Sequence, residues 1–141
     1  MKHECSSILF RCMDFRFEPA ITDWLKKEGL LGDVDIVSIA GAVKTFLTPK
    51  TPAEAEFAMR HVEISQNLHH SKNVVLMNHL DCGAYGGRKA FASDEEEKTK
   101  HVADMRAAKD AISAKFPEYT FRLVLAHIDE RGTVGFEEIT A

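Results

Sequence analysis

The stretch that decides the fold is NVVLMNHLDCGAYGG, which runs from Asn73 to Gly87. It begins as an apolar run, and an apolar run bounded by turn residues is typical of a fully buried strand. The run leads into His79, Asp81 and Cys82, and three glycines follow within five positions. His79 and Cys82 are three residues apart, so both can face one point if the chain turns helically there. The stretch therefore predicts a buried strand that ends at a pair of metal-competent side chains.

A second stretch has the same layout. Residues 6–11 are short, apolar and compatible with a strand, and Cys12, Asp14 and Arg16 follow them directly. Two strands that both end in potential metal ligands make a stronger signal than either motif alone.

The rest of the chain alternates between strand and helix patterns. We predict strands at 6–11, 34–39, from 73 onward, 120–127 and, as a short final strand, 135–140, helices at 18–28, 51–69 and from 93 to 116, and a loop at 43–50. Thr51 and Ser93 each begin a capping box. The acidic run 94–97 is interpreted as a solvated first turn of its helix.

This alternation predicts an α/β fold built from right-handed βαβ units. We expect a mainly parallel four-stranded sheet in the order 2-1-3-4, flanked by helices, with a short C-terminal strand. Ligands of such sheets bind beyond the carboxyl ends of the strands, where the strand order reverses. If strands 1 and 3 are neighbours at that point, Cys12, His79 and Cys82 converge.

Composition limits the class of protein. The chain has 141 residues, 45% of them hydrophobic, which suits one domain with its own core. Its net charge is −4 and it has no basic stripe, so nucleic acid is not an expected partner. No apolar run approaches the ~20 residues of a membrane span. The three cysteines are an odd number and some lie near histidines, which favours metal binding or catalysis over disulfides. Cysteines used in this way indicate a cytoplasmic location.

Two thiolates and one imidazole form a good zinc set, and three protein ligands leave a fourth position open. Water in that position would have its pKa lowered toward ~7, giving hydroxide at neutral pH. Asp14 and Arg16 lie in the same turn as Cys12. Arg16 could hold Asp14 ionised, and Asp14 could orient the metal-bound nucleophile.

The pattern C-x-D-x-R, then an A-G turn, then H-x-x-C-G resembles the β-class carbonic anhydrases. It is carried here by residues 12–16, by Ala40-Gly41 and by residues 79–83. The resemblance covers most of the chain, from strand 1 to strand 4. The family often has an arginine and an asparagine around the A-G turn, where this chain has Ser38-Ile39 and Ala42.

The resemblance implies a zinc enzyme that hydrates carbon dioxide reversibly to bicarbonate. It implies Cys12, His79 and Cys82 as zinc ligands, and Asp14 with Arg16 as the catalytic dyad. It also implies a homodimer or a larger homo-oligomer. Residues 1–141 are then a single zinc domain of the β-carbonic anhydrase type.

Other interpretations stay open at this point. Asp14 could bind zinc directly and close the site, or serve only as a turn residue. Asp81 is expected to be a cap or turn residue. The protein could be a non-catalytic zinc-binding regulatory or structural module, or a hydrolase of carbon disulfide or carbonyl sulfide on the same fold. A thiol redox protein that uses Cys5 and Cys12 is a weaker option, because no C-x-x-C pair supports it.

Overall fold

The computed structural model describes residues 2–141. The strands are β1 (Ser7–Arg11), β2 (Val34–Ser38), β3 (Asn73–His79), β4 (Thr120–Ile128) and β5 (Val134–Ile139). The helices are α1 (Glu18–Lys27), α2 (Lys44–Leu47), α3 (Pro52–His69) and α4 (Asp94–Lys115), and three short 3-10 turns lie at Phe15–Phe17, Gly83–Tyr85 and Arg88–Ala90. Within residues 2–141, none of the helices is both long enough and apolar enough to cross a membrane.

The five strands form one sheet in the order β2-β1-β3-β4-β5. Neighbours among the first four strands are parallel, and β5 runs antiparallel to β4. The predicted α/β class, the order 2-1-3-4 and the short C-terminal strand are confirmed. Arg11, the last residue of β1, pairs with Met77 of β3. The chain therefore leaves β1 level with the end of β3, at the point where the strand order reverses.

Side chains of a strand alternate between the two faces of the sheet. Both faces of this sheet are apolar, and helices cover both of them. One apolar core lies between the sheet and the helices α3 and α4. Its strand residues are Ile8, Phe10, Val74, Leu76, Leu123 and Leu125. The other lies against α1 and takes Leu9, Val75, Met77, Val124 and Ala126. The continuous apolar pattern of β3 reflects this burial on both faces.

Some local predictions were wrong. The segment 43–50, predicted as loop, contains the short helix α2. Within the described residues the Thr51 side chain makes no capping hydrogen bond, and Glu54 instead accepts from the backbone N–H of Lys50 at 2.8 Å. The Ser93 cap is confirmed, because its hydroxyl accepts from the N–H of Glu96 at 3.1 Å.

The redox interpretation is excluded by the fold. Cys5 precedes β1 and Cys12 follows it, so the strand separates them by about 20 Å at ~3.3 Å per residue. A disulfide requires the two Cα atoms to be within about 7 Å. Cys5 and Cys12 therefore cannot form a dithiol pair.

Candidate metal centre

The structure brings Cys12, His79 and Cys82 together at the carboxyl ends of β1 and β3. One ligand atom from each, the two sulfurs and an imidazole nitrogen, lies within 4.8 Å of the other two. All three residues are buried. The two sulfurs are 3.9 Å apart. Zn–S bonds of about 2.3 Å in a tetrahedron place two sulfurs about 3.8 Å apart, so this spacing needs almost no adjustment to hold zinc.

The turn between His79 and Cys82 is not helical, so the condition under which the sequence spacing would bring the two side chains together is met in another way. His79 is the last residue of β3, and Cys82 is extended with φ −79° and ψ 122°. Asp81 between them is left-handed, with φ +58°. This left-handed residue reverses the chain and directs both ligand side chains to the same side, a conformation that aspartate tolerates better than most residues.

The imidazole of His79 has one nitrogen available. Its Nδ1 lies 2.8 Å from the carbonyl oxygen of Leu80, a bond that places the proton on Nδ1. Its Nε2 is buried and has no hydrogen-bond partner among residues 2–141. The ring packs against Phe17, with centroids 4.2 Å apart. A buried nitrogen lone pair without a partner is costly unless something binds it, and a metal ion would satisfy it.

Backbone amides favour the thiolate form of both sulfurs. The N–H groups of Gly41 and Asp14 act to lower the pKa of Cys12, and those of Ala84 and Tyr85 oppose the rise in the pKa of Cys82. The hydrogen bond from the Cys82 thiol lowers the pKa of Cys12. The same bond, together with burial, raises the pKa of Cys82, because one thiolate disfavours a second beside it. A divalent cation would remove that repulsion, so the donor set fits zinc.

The predicted Ala40-Gly41 turn closes the site from the side of β2. Gly41 has φ +74°, a conformation that favours glycine. A Cβ atom at this position would lie 3.0 Å from the Cβ of Ala84, so a side chain would crowd the turn that follows Cys82. Gly41 thus allows a close approach of this turn to the turn that follows Cys82, and its N–H acts to lower the pKa of Cys12.

Asp14 lies beside the three ligand atoms and is held by Arg16. Guanidinium nitrogens Nε and Nη2 of Arg16 donate to Asp14 Oδ1 at 3.1 Å and to Oδ2 at 2.7 Å. Asp14 Oδ2 lies 3.8 Å from His79 Nε2. Hydrogen bonding from Arg16 lowers the pKa of Asp14, so the carboxylate is ionised at neutral pH. Asp14 is therefore an ionised acceptor at the edge of the ligand group, paired with arginine.

Arg16 is itself fixed by Asp81. Its Nη1 donates to Asp81 Oδ2 at 3.0 Å, and its Nη2 donates to the Asp81 carbonyl oxygen at 3.0 Å. The other carboxylate oxygen of Asp81 accepts from the N–H of Arg88 at 2.9 Å. Asp81 is a turn residue, as the sequence suggested, and it also orients the arginine that holds Asp14.

A buried carboxylate that the sequence analysis missed supports this turn. Glu97 is fully buried, and its Oε1 accepts a hydrogen bond from the N–H of Asp81. Burial raises the pKa of Glu97. The interpretation of 94–97 as a solvated turn is correct for its first three residues and wrong for Glu97. The helical periodicity of α4 could have indicated this burial, since Glu97 lies on the same helix face as the buried residues Met105 and Ile112.

The buried network continues behind Cys12, His79 and Cys82. Nδ2 of Asn78, the residue before His79, donates to His101 Nδ1 at 2.9 Å and lies 3.2 Å from the Tyr85 hydroxyl. That hydroxyl donates to Asp104 at 2.9 Å. Burial lowers the pKa of His101 to about 4, so its ring is neutral at pH 7. These contacts link the end of β3, the turn after Cys82 and α4 into one rigid support.

We expect Glu97→Ala to destabilise the fold by about 1–3 kcal/mol, the typical cost of leaving a buried N–H without its acceptor. The unpaired group would be the N–H of Asp81. Urea unfolding measures the change. Glu95→Ala is the matched control, because Glu95 is exposed in the same helical turn and should change stability by less than about 0.5 kcal/mol. Equal changes in the free energy of unfolding of the two variants would contradict the structural role assigned to Glu97.

Sequence comparison finds a family and uncharacterised relatives. The sequence model of the family described as "putative carbonic anhydrase" matches residues 1–137. An uncharacterised protein of Rickettsia conorii is 33% identical over 135 residues, which span 92% of this chain and 73% of the relative. A second uncharacterised protein, from Rickettsia bellii, is 30% identical over 135 residues, spanning 92% and 82% of the two chains.

Structure comparison finds β-carbonic anhydrases. The β-carbonic anhydrase CcaA superposes with a TM-score of 0.64 at 11% identity, over 99% of this chain and 85% of the other. The enzyme CafA of Aspergillus fumigatus gives 0.56 at 16% identity, over 96% and 76%. A structure from a study of two tetrameric β-carbonic anhydrases of Sordaria macrospora gives 0.53 at 15% identity, over 99% and 82%. At these identities the similarity establishes a shared fold.

Proposed function

Because this chain belongs to the family described as "putative carbonic anhydrase", we propose that it is a zinc enzyme that interconverts carbon dioxide and bicarbonate. The observation that carries the proposal is the convergence of two thiols and an unpartnered imidazole nitrogen beside an arginine-held carboxylate. A purely structural metal site would need the two thiols and the imidazole. It would not need a carboxylate held by arginine beside them.

Cys12, His79 and Cys82 are the residues that would hold the zinc. When bound, zinc supplies the Lewis acidity that makes a water molecule nucleophilic near neutral pH. With zinc bound, the chain would contribute two thiolate sulfurs and one imidazole whose proton is fixed on Nδ1. Three protein ligands leave room for one small molecule.

Asp14 orients the attacking water. Its Oδ2 faces the ligand group, and an ionised carboxylate can only accept hydrogen bonds. By accepting a hydrogen bond from the water it directs the oxygen lone pair toward the carbon of the substrate. Orientation of this kind lowers the barrier because the reacting atoms start in the productive geometry.

Arg16 keeps Asp14 in this role. The two-pronged pair fixes the carboxylate plane, and Asp81 fixes the guanidinium in turn. With this pair formed, Asp14 is engaged by arginine and the fourth position next to the ligands stays open. Arg16 and Asp81 are therefore positioning residues, and Asp14 is the group that touches the reacting water.

We further propose that the protein is a homodimer or a larger homo-oligomer. Phe57, Ile64 and Leu68 form a stripe along α3 and are 61%, 37% and 56% exposed. Their spacing of seven and four residues puts them on one helix face. The opposite face of α3, with Ala58 and Val62, is buried against the sheet, so the stripe is free to meet a second copy.

We expect Phe57→Glu to convert the dimer, of about 32 kDa from two chains of 15.8 kDa, into monomers. A charge in the centre of an apolar interface loses its hydration without gaining a partner. Sedimentation velocity measures the mass. Glu56→Gln, a change at an exposed neighbour, should leave the dimer intact. A wild-type monomer, or a variant that stays dimeric, would rule out this face as the interface.

The cytoplasm is the proposed location. Cys5, Cys12 and Cys82 are all free thiols, and free thiols persist in reducing compartments. The proposed zinc site also requires that Cys12 and Cys82, whose sulfurs are 3.9 Å apart, stay reduced.

A substrate comparison tests the proposed reaction. Zinc-loaded protein is assayed in parallel for carbon dioxide hydration and for hydrolysis of carbon disulfide and carbonyl sulfide. We expect hydration of carbon dioxide to be the fastest reaction and to disappear with a zinc chelator. Rapid, chelator-sensitive hydrolysis of a sulfur substrate without carbon dioxide hydration would refute the proposed substrate while keeping the zinc site.

A further inference from the structure

A second group of metal-competent side chains lies near the amino-terminal ends of β1 and β2, away from the candidate metal centre at the carboxyl ends. Cys5 precedes β1, Asp35 is in β2 and His69 is the last residue of α3. One ligand atom from each lies within 4.8 Å of the other two. All three side chains are partly buried. Since β1 separates this group from Cys12, it is independent of the candidate active site.

The backbone fixes the three residues relative to one another. The N–H of Cys5 donates to the carbonyl oxygen of His69 at 3.1 Å. Asp35 pairs with Ile8 in the parallel register of β1 and β2. Main-chain hydrogen bonds therefore connect the segments that carry Cys5, Asp35 and His69, although these segments are far apart in sequence. A site on such rigid elements is preorganised.

A chain of buried hydroxyls orients Asp35. Ser65 Oγ donates to Asp35 Oδ2 at 2.7 Å and lies 2.7 Å from Ser71 Oγ. Ser71 Oγ lies 2.7 Å from the hydroxyl of Tyr119. Ser65, Ser71 and Tyr119 are all buried. Hydrogen bonds to a carboxylate from behind are the support typical of ligands in metal sites.

His69 and its neighbour supply imidazoles. His69 Nδ1 lies 2.9 Å and 2.8 Å from the two oxygens of Asp35. The ring of His3 contacts the ring of His69 edge-on, with centroids 5.0 Å apart. Two histidines, one thiol and one carboxylate are therefore gathered within one small region.

We propose that Cys5, Asp35 and His69 bind a second divalent transition-metal ion of the zinc type, with His3 as the nearest further ligand. A thiolate and an imidazole favour zinc or cobalt over magnesium or calcium, which prefer all-oxygen sites. Bonds of about 2.0–2.3 Å would set the ligand atoms about 3.3–3.8 Å apart. The His69–Asp35 pair must therefore open by about 0.5 Å, and the Cys5 thiol must give up its 3.4 Å contact with the carbonyl oxygen of Ser7.

Binding is a proton exchange without oxidation. The Cys5 thiol loses its proton to buffer. The proton on His69 Nδ1 is exchanged through solvent, which leaves a neutral imidazole with its one proton on Nε2. The metal then bonds to sulfur, to Nδ1 and to a carboxylate oxygen. The ion would tie the segment before β1 to β2 and to the end of α3. Its role is structural, because the chain places no dyad such as Asp14–Arg16 beside it within the described residues.

The test is cobalt(II) titration of the full-length, metal-stripped protein, with metal per chain measured by mass spectrometry and thiolate ligation by the cobalt–sulfur charge-transfer band. We expect two equivalents in the wild type, and one equivalent in Cys5→Ser and in His69→Gln. His70→Gln is the matched control, since His70 is exposed and adjacent, and it should retain two equivalents. Carbon dioxide hydration by Cys5→Ser should stay within about twofold of the wild type.

Cys12→Ser separates this proposal from the proposed function. Its remaining cobalt should still show a sulfur band, and that band should vanish in the double variant Cys5→Ser/Cys12→Ser. One equivalent in the wild type, lost only through Cys12, would overturn the second site and leave the first intact. Two equivalents in Cys5→Ser and in His69→Gln would overturn it as well.

Discussion

Cys82→Ser is expected to lose the active-site zinc and to hydrate carbon dioxide no faster than the uncatalysed background. Serine has nearly the shape of cysteine, but its hydroxyl does not ionise at neutral pH and is a poor zinc ligand. The variant leaves one thiolate and the His79 imidazole, and two ligands do not complete a catalytic zinc site. Metal binding contributes to folding, so the variant should also unfold at a lower urea concentration than the zinc-loaded protein.

Zinc per chain, measured beside the hydration rate, checks this result. Cys5→Ser is the matched cysteine control and should keep both the active-site zinc and the activity, because Cys5 lies beyond the other end of β1. Full zinc content and full activity in Cys82→Ser would show that Cys82 is not a ligand.

Asp14→Asn is expected to keep zinc and to lose about 10²-fold or more in hydration rate, the loss typical when a reacting group is no longer oriented. The amide is isosteric with the carboxylate but uncharged, and one of its two terminal atoms becomes a donor. It can no longer form the two-pronged ionic pair with Arg16 or accept reliably from the attacking water. The ligand atoms of Cys12, His79 and Cys82 are untouched.

Stopped-flow hydration at fixed zinc content measures the effect. Asp23→Asn, on the exposed side of α1, should match the wild type. Arg16→Gln should resemble Asp14→Asn, because it releases the carboxylate that Asp14→Asn neutralises. Hydration by Asp14→Asn at the wild-type rate would contradict the mechanism and favour a site in which Asp14 is only a turn residue.

The strand order was predictable because local patterns and general topology rules agree. Apolar runs marked the buried strands, helical periodicity marked the crossovers, and parallel strands joined by helices lead to few arrangements. The meeting of Cys12 with His79 and Cys82 followed from that order. The sequence could not give the left-handed φ of Asp81, because the residue sits in a turn whose shape depends on Glu97 and Arg88.

Other features depend on contacts between segments that are distant in sequence. Glu97 looked like its exposed neighbours, and only its phase on α4 distinguished it. Asp35 and His69 gave no usable pattern, because 34 positions separate them and only the register of β2 with β1 brings them together. Single residues in strands and at helix ends carry little signal until the register is known.

The most direct test is stopped-flow hydration of carbon dioxide by the wild-type protein, with zinc determined in the same sample. We expect at least one zinc per chain and rapid hydration that a chelator abolishes and added zinc restores. The assay should span pH ~6.5 to ~9, which brackets the pKa expected for water activated by zinc. Protein that holds zinc through Cys12, His79 and Cys82 but shows no hydration at any pH in this range would contradict the proposed function.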